Sequence, residues 1–374
     1  MAALNPEEME AEIEALLTLA LAGGIGALQA RRLLEEHGSG LAVLREARRA
    51  GGEEGPLRAL LSPPVRARVR RVRAAAEGAG MGILGWGLPF YPPRLAPLAE
   101  APPVLFYQGD PKVLHQRAVA ALVGTRTPTP YGRQATETLA GGLAARGVVV
   151  VSGLARGVDS HAHYSVLQAG GKTVAVLAGG LDRIYPPERV SMAEEIAREG
   201  LLLSEMPPGQ NPLPGLFPRR NRIISGVSDL VVVVEAARKS GALITAQWAL
   251  DQGKEVAAVP GSIFSPVSKG PFLLIRDGAT PVDSVEAIME LLPPPSGKDH
   301  TPGSKKEKDH PSETEVPLTP LERTFLQALA HTGGDPEQAA RQAGIPVKEA
   351  LSLGVSLEMK GLARARGQGL LFPT

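Results

Sequence analysis

"VVVVSGLARGVDSHAH", residues 148–163, decides how the fold is read. Four consecutive valines make a strand buried on both faces, Gly153 and Gly157 bracket a turn, and a helical stretch follows. The same unit recurs along the chain. Apolar runs lie at 118–123, 173–178, 201–203, 230–234 and 255–259, and most are separated by ten or more residues of helical character, such as "YGRQATETLAGGLAARG". Short valine-rich runs alternating with helices imply buried parallel strands joined by right-handed crossovers, an α/β doubly wound, mostly parallel sheet. "ILGWG" and "VLFYQG", before residue 110, add flanking strands. In such sheets ligands sit beyond the carboxyl ends of the strands, where strand order reverses.

The chemistry-bearing motifs cluster at those positions. The loop Gly153-Leu154-Ala155-Arg156-Gly157 leads from a strand into a helix, so its amides and the helix N-terminus favour an anion. Arg156 adds a planar cation suited to phosphate. "VGTRTPTPYG" at 123–132 opens on Gly124 and projects Arg126 from the strand tip. "AGGLDRIYPPE" at 178–188 supplies Gly179 and Gly180. "FPRRNRIISG" at 217–226 brings Arg219, Arg220 and Arg222 around Asn221, beside Phe217. "EAARKSGALITA" at 235–246 places Lys239, Ser240 and Gly241 just before a helix. Read as five strand ends, these carry more phosphate-binding groups than one nucleotide needs and suit a strand of phosphates.

Other readings are weaker. The loop is not a Gly-x-Gly-x-x-Gly dinucleotide fingerprint, and "GGKT" at 170–173 has Val166 where a P-loop needs glycine. Asp159, Ser160, His161 and His163 are too close along one helix to form a triad, and no carboxylate cluster completes a metal shell. Asp159 is expected to order the loop by accepting backbone amides, and His163 to be a hydrogen-bonded structural residue. No catalytic or metal-ligating residue is assigned.

The 374 residues carry 40 Lys and Arg against 39 Asp and Glu, so any basic surface is local. The absence of cysteine excludes disulfides, a thiol nucleophile and Cys-based metal sites. The acidic N-terminus does not resemble a signal peptide, and no apolar stretch is long enough to span a membrane, so a cytoplasmic protein without membrane insertion is expected. The absence of cysteine and the richness in arginine and proline suit a thermophile, and a GC-rich genome explains the same bias.

Residues 1–80 are helical by period, with "GGIG" at 23–26 as either a helix–hairpin–helix turn that admits a phosphate or a packing corner. The core occupies residues 81–292. Residues 293–316 are rich in proline and charge and form a flexible linker. Residues 317–374 read as three helices and a hairpin, the order of a winged helix, a module that binds DNA in some proteins and protein in others.

Taken in order, "VGTRTPTPYG", "SGLARGVDSHAH", "LAGGLDRIYPPE", "FPRRNRIISG" and "EAARKSGALITAQWALDQGKEVAAVPG" resemble the DNA-processing protein A (Smf) family over residues 85–285. The resemblance implies a Rossmann-like core, a sterile-alpha-motif-like helical domain before it and a winged helix behind. It also implies binding and protection of incoming single-stranded DNA, loading of the RecA recombinase during natural transformation, and homodimerisation through the core, with no catalysis and no cofactor. Arg126 matches the family's Gly-x-Arg, Gly153 to Gly157 its glycine loop, Arg220, Asn221 and Arg222 its Arg-Asn-Arg, and Ser240 and Gly241 its Ser-Gly. Arg219 occupies a variable slot. Phe272 replaces a usually polar residue, so a DNA contact there is either lost or replaced by stacking. A nucleotide-phosphate hydrolase of the phosphoribohydrolase type is the alternative. It needs a Pro-Gly-Gly-x-Gly-Thr turn backed by a glutamate, and "ARKSGALITAQ" lacks that glutamate.

Overall fold

The structure is a computed structural model that describes residues 5–49, 56–293, 319–332, 335–359, 363–366 and 370–373. The chain divides into two compact units, Met1–Asp299 and His300–Thr374.

The first unit opens with five helices, α1 (Pro6–Leu21), α2 (Ala27–His37), α3 (Gly40–Arg49), α4 (Pro56–Leu60) and α5 (Pro63–Gly78). Asn5 and Glu8 form a capping box at the start of α1. The buried Glu12 carboxylate accepts the amides of Gly40 and Leu41 and so caps α3 from a neighbouring helix. Leu16, Leu34, Val43 and Val69 of these helices join Phe106, Ala175 and Leu177 of the sheet in one hydrophobic cluster. The helical module therefore shares its core with the sheet it precedes.

The sheet has nine strands: β1 (Gly82–Gly85), β2 (Val104–Gly109), β3 (Val119–Val123), β4 (Val149–Ser152), β5 (Thr173–Leu177), β6 (Leu201–Ser204), β7 (Leu230–Val233), β8 (Glu255–Ala258) and β9 (Thr280–Pro281). Their spatial order is β1-β2-β6-β5-β4-β3-β7-β8-β9. The pairings β1–β2 and β2–β6 are antiparallel, and the rest are parallel. Strands β3 to β7 are buried along their whole length, as continuous valine and leucine runs require.

The crossovers are α6 (Pro130–Ala145), α7 (Val158–Gln168), α8 (Val190–Glu199), α9 (Leu216–Gly226), α10 (Gly241–Asp251) and α11 (Lys269–Arg276), and α12 (Val285–Leu291) follows the last strand of the sheet. Ala120, Leu122 and Val150 face α6 and α7, whereas Val119, Ala121 and Val151 face α9 and α10. Strands β3 to β6 wind outward in one direction and β7 to β9 in the other. The reversal lies between β3 and β7.

The second unit contains α13 (Pro320–His331), α14 (Pro336–Ala343) and α15 (Val347–Met359), then an antiparallel pair, β10 (Ala363–Arg366) and β11 (Leu370–Pro373). Phe325, Leu329, Ala340 and Leu357 form its core. The expected linker, Pro293 apart, and the glycine turn between β10 and β11 lie outside the described residues.

Candidate nucleic-acid interface

An open cleft of about 630 Å³ lies at the reversal between β3 and β7. Gly124 ends β3 where a Cβ would press on Val158 and the Glu235 carbonyl. The Thr125 amide donates to that carbonyl at 2.6 Å. The buried Glu235 carboxylate accepts the Thr129 amide at 2.8 Å and its hydroxyl at 2.6 Å. The loop is thus pinned on both sides of Arg126, which is exposed at the rim. Its guanidinium lies 5.9 Å from the Phe217 ring centroid, and Phe217 packs edge-on against Tyr185.

The glycine loop after β4 is closed from within, by the Asp159 carboxylate that the sequence places at the start of the next helix. Asp159, on the first turn of α7, accepts the Gly153 amide at 3.1 Å and also bonds the Ala155 amide. Its carboxylate fills the place an external anion would take. Burial raises the Asp159 pKa, with Arg220 and the amides opposing that shift. Gly153 lacks a side chain because a Cβ would fall on the Arg220 guanidinium. Gly157, at φ +77°, packs against the Thr125–Arg126 backbone, and Leu154 is fully buried. Gly153, Leu154 and Gly157 therefore shape the turn from within. Ala155 lines the cleft, and Arg156 lines an adjoining recess with Arg126 and Tyr185. Arg156 donates to Glu188 at 2.5 Å, which holds that carboxyl below its ordinary pKa.

The arginine triad lies on a helix, α9, and not at a strand end. Residues 217, 220, 221 and 224 share one helical face, and all four line the cleft. Arg220 is buried and donates to the carbonyls of Gly153, at 2.8 Å, and Val176. Burial pushes its pKa down to about 10, so it stays charged at neutral pH. Asn221 Nδ2 donates to the Gly241 carbonyl at 3.2 Å and ties α9 to α10. Arg219 and Arg222 fall on the opposite face, where both grip Glu205 at 3.1 and 2.6 Å.

After β7, Lys239 is exposed at the cleft edge. Ser240 caps α10 by accepting the Ala242 amide at 3.3 Å. Gly179 and Gly180 are not part of the cleft. They pack under the 207–212 loop, and the Gly180 amide donates to the Gln210 carbonyl. Phe272 is half-buried on α11 and is not a lining residue.

His163 is fully buried and meets Thr173 Oγ1 at 2.7 Å. That hydroxyl donates to the Val150 carbonyl, so Nδ1 carries the proton. Burial, with the Arg220 charge, lowers its pKa to about 3 and keeps it neutral. His161 faces Glu137 instead. Among the described residues no three His, Asp or Glu side chains converge as a metal site.

The cleft thus gathers Gly124, Arg126, Ala155, Arg220, Asn221, Lys239, Ser240 and Gly241, with Asp159 the one acid in its wall. Sequence reasoning left Phe217, Tyr185, Ile224 and Ile244 out of the site. The signal for Phe217 was available, since it stands three residues before Arg220 on the same helical face.

A doubly wound sheet with a cationic crevice at its strand-order reversal defines a Rossmann-like α/β protein built for anionic ligands. The model of the DNA recombination-mediator protein A family matches residues 83–293. The chain belongs to that family. DNA processing protein DprA of Bacillus subtilis is 45% identical over 223 residues, 60% of this chain and 75% of the relative. Protein Smf of Escherichia coli is 40% identical over 277 residues, 73% and 72% of the two chains. The structure of DNA processing protein A from Streptococcus pneumoniae superposes with a TM-score of 0.65 at 31% identity, covering 78% of this chain and 99% of that one. The Helicobacter pylori protein, described for its single-stranded DNA binding mode, gives a TM-score of 0.51 at 33% identity, covering 56% and 93%. No described helix is long and apolar enough to cross a membrane.

Proposed function

We propose that the chain binds single-stranded DNA by its phosphate backbone in the switch-point cleft, protects incoming DNA and loads RecA recombinase onto it. It acts in the cytoplasm, without catalysis or cofactor, as a homodimer through the Rossmann-like core. The helical module and a C-terminal winged helix are ancillary domains joined to that core. The observation that carries this reading is one cleft lined by Arg126 and Lys239, exposed on two loops, and by the buried charge of Arg220. The single-stranded DNA binding of the Helicobacter pylori relative supports it. Direct contacts fall to Gly124, Arg126, Ala155, Arg156, Arg220, Asn221, Lys239, Ser240 and Gly241. Asp159 and His163 serve the fold.

The one carboxylate in the cleft wall, Asp159, is committed to backbone amides, which leaves it poorly placed to activate water for a hydrolase. Fluorescent oligo-dT and duplex DNA should be compared across a salt series, alongside incubation with nucleoside monophosphates. Salt-sensitive, single-strand-preferring binding and no free base support the proposal. Release of base would restore the phosphoribohydrolase reading.

A further inference from the structure

The far face of α9 borders a second recess, of about 190 Å³, between the helical module and the sheet. Arg219 reaches it from α9, Arg68 from α5, and the "GGIG" turn closes it through Ile25 and Gly26. Glu205 is the one acid among its lining residues. That carboxylate already answers two arginines, because Arg219 and Arg222 share its Oε1. Arg68 is exposed, and its guanidinium donates to the Leu21 carbonyl at 3.1 Å. A further cation lies near. Arg31, buried and stacked 4.2 Å over Trp86, is paired with Glu35 at 3.0 Å and acts with Arg222 and Glu205 on the same Tyr91 hydroxyl. The lining therefore sets two cations, Arg68 and Arg219, against the single carboxylate of Glu205, which the buried Arg222 also engages from behind.

A narrow recess lined by Arg220, Arg219, Glu205 and Met206 shares residues with both hollows and links them across α9. Pro214 lines the cleft, whereas Pro207 and Gln210, earlier in the same loop, line the recess. Arg219 thus lies one residue from the cleft's Arg220, on the side of α9 that faces the recess. We propose that the recess between the helical module and the sheet binds a backbone phosphate of the same DNA strand through Arg68 and Arg219. The helical module then lengthens the footprint on DNA. This rests on the reading of the cleft as a single-strand site.

Two changes in the full chain test it. Arg68→Gln with Arg219→Gln removes the cations. Gly26→Asp sets a carboxylate at the recess wall, where Gly26 has ordinary φ and an added Cβ meets nothing within 4 Å. Aspartate is also a good N-cap for α2, so its melting temperature should hold or rise. Oligo-dT of about six and about 30 nucleotides should be titrated, bracketing the usual footprint of one nucleic-acid-binding domain. Both proteins should lose about tenfold on the long strand, with a salt slope lower by about one to two for the double variant. Binding of the short strand should match wild type. Wild-type affinity for the long strand in both variants overturns the proposal, and so does an equal loss on both lengths. If the wild type binds neither length, the cleft reading itself fails and this proposal falls with it.

Discussion

Two turns of the sheet carry the same elements, a glycine, a small polar residue and a cation before a helix, yet they differ in what satisfies their amides. After β4, the Gly153 and Ala155 amides are taken by the Asp159 carboxylate six residues on from Gly153, and the turn is a closed structural unit beneath the cleft. After β7, the α10 terminus is capped only by the Ser240 hydroxyl, with Lys239 exposed beside it. A carboxylate fills an anion site with charge, whereas a hydroxyl leaves the helix dipole uncompensated. A glycine turn in a sequence therefore marks where amides converge, and the tertiary fold decides whether the place is vacant.

The largest effect should come from opening the closed turn. Asp159→Ala strands two amides and removes the charge opposing the buried Arg220, and should cost about 3 kcal/mol in urea unfolding. Inorganic phosphate should restore part of that loss by entering the vacated place, and should leave the wild type unmoved. A loss below about 1 kcal/mol would erase the distinction between the turns.

His163, on the same helix as Asp159, sharpens the contrast through pH. Its folded pKa, about 3, lies below the unfolded value, so the unfolded chain binds more protons in the window between them. Stability should fall as pH drops from about 6.5 toward 3, by about 2 kcal/mol at pH 5. His163→Gln should lose this acid sensitivity, and parallel pH profiles for the two proteins would refute the buried neutral state. Ser240→Ala should have the smallest effect, about 1 kcal/mol, as expected for loss of one helix cap. A cost near that of Asp159→Ala would make the second turn as closed as the first.

The sheet was legible because valine runs and helical spacing repeat with one period, and buried parallel strands leave that mark. The antiparallel edge was not. "ILGWG" and "VLFYQG" show strand content, but their direction depends on how the intervening turns fold back. The cleft was legible in Arg126, Arg220, Asn221, Lys239 and Ser240. The triad's two faces were also present in its helical period, but were hidden when "FPRRNRIISG" was read as a strand end. The role of Gly153 had no local signal, because it makes room for Arg220, 67 residues away. Gly179 and Gly180 likewise answer to the 207–212 loop and not to a ligand.

The central claim is that the cleft holds a DNA backbone with Arg126 at its rim. Its most direct test is the affinity of wild type and Arg126→Ala for fluorescent oligo-dT over a range of salt. The account predicts about a tenfold loss shared by all base sequences, with the slope of log affinity against log salt shallower by about one. Equal affinity and equal slope in the two proteins would contradict it.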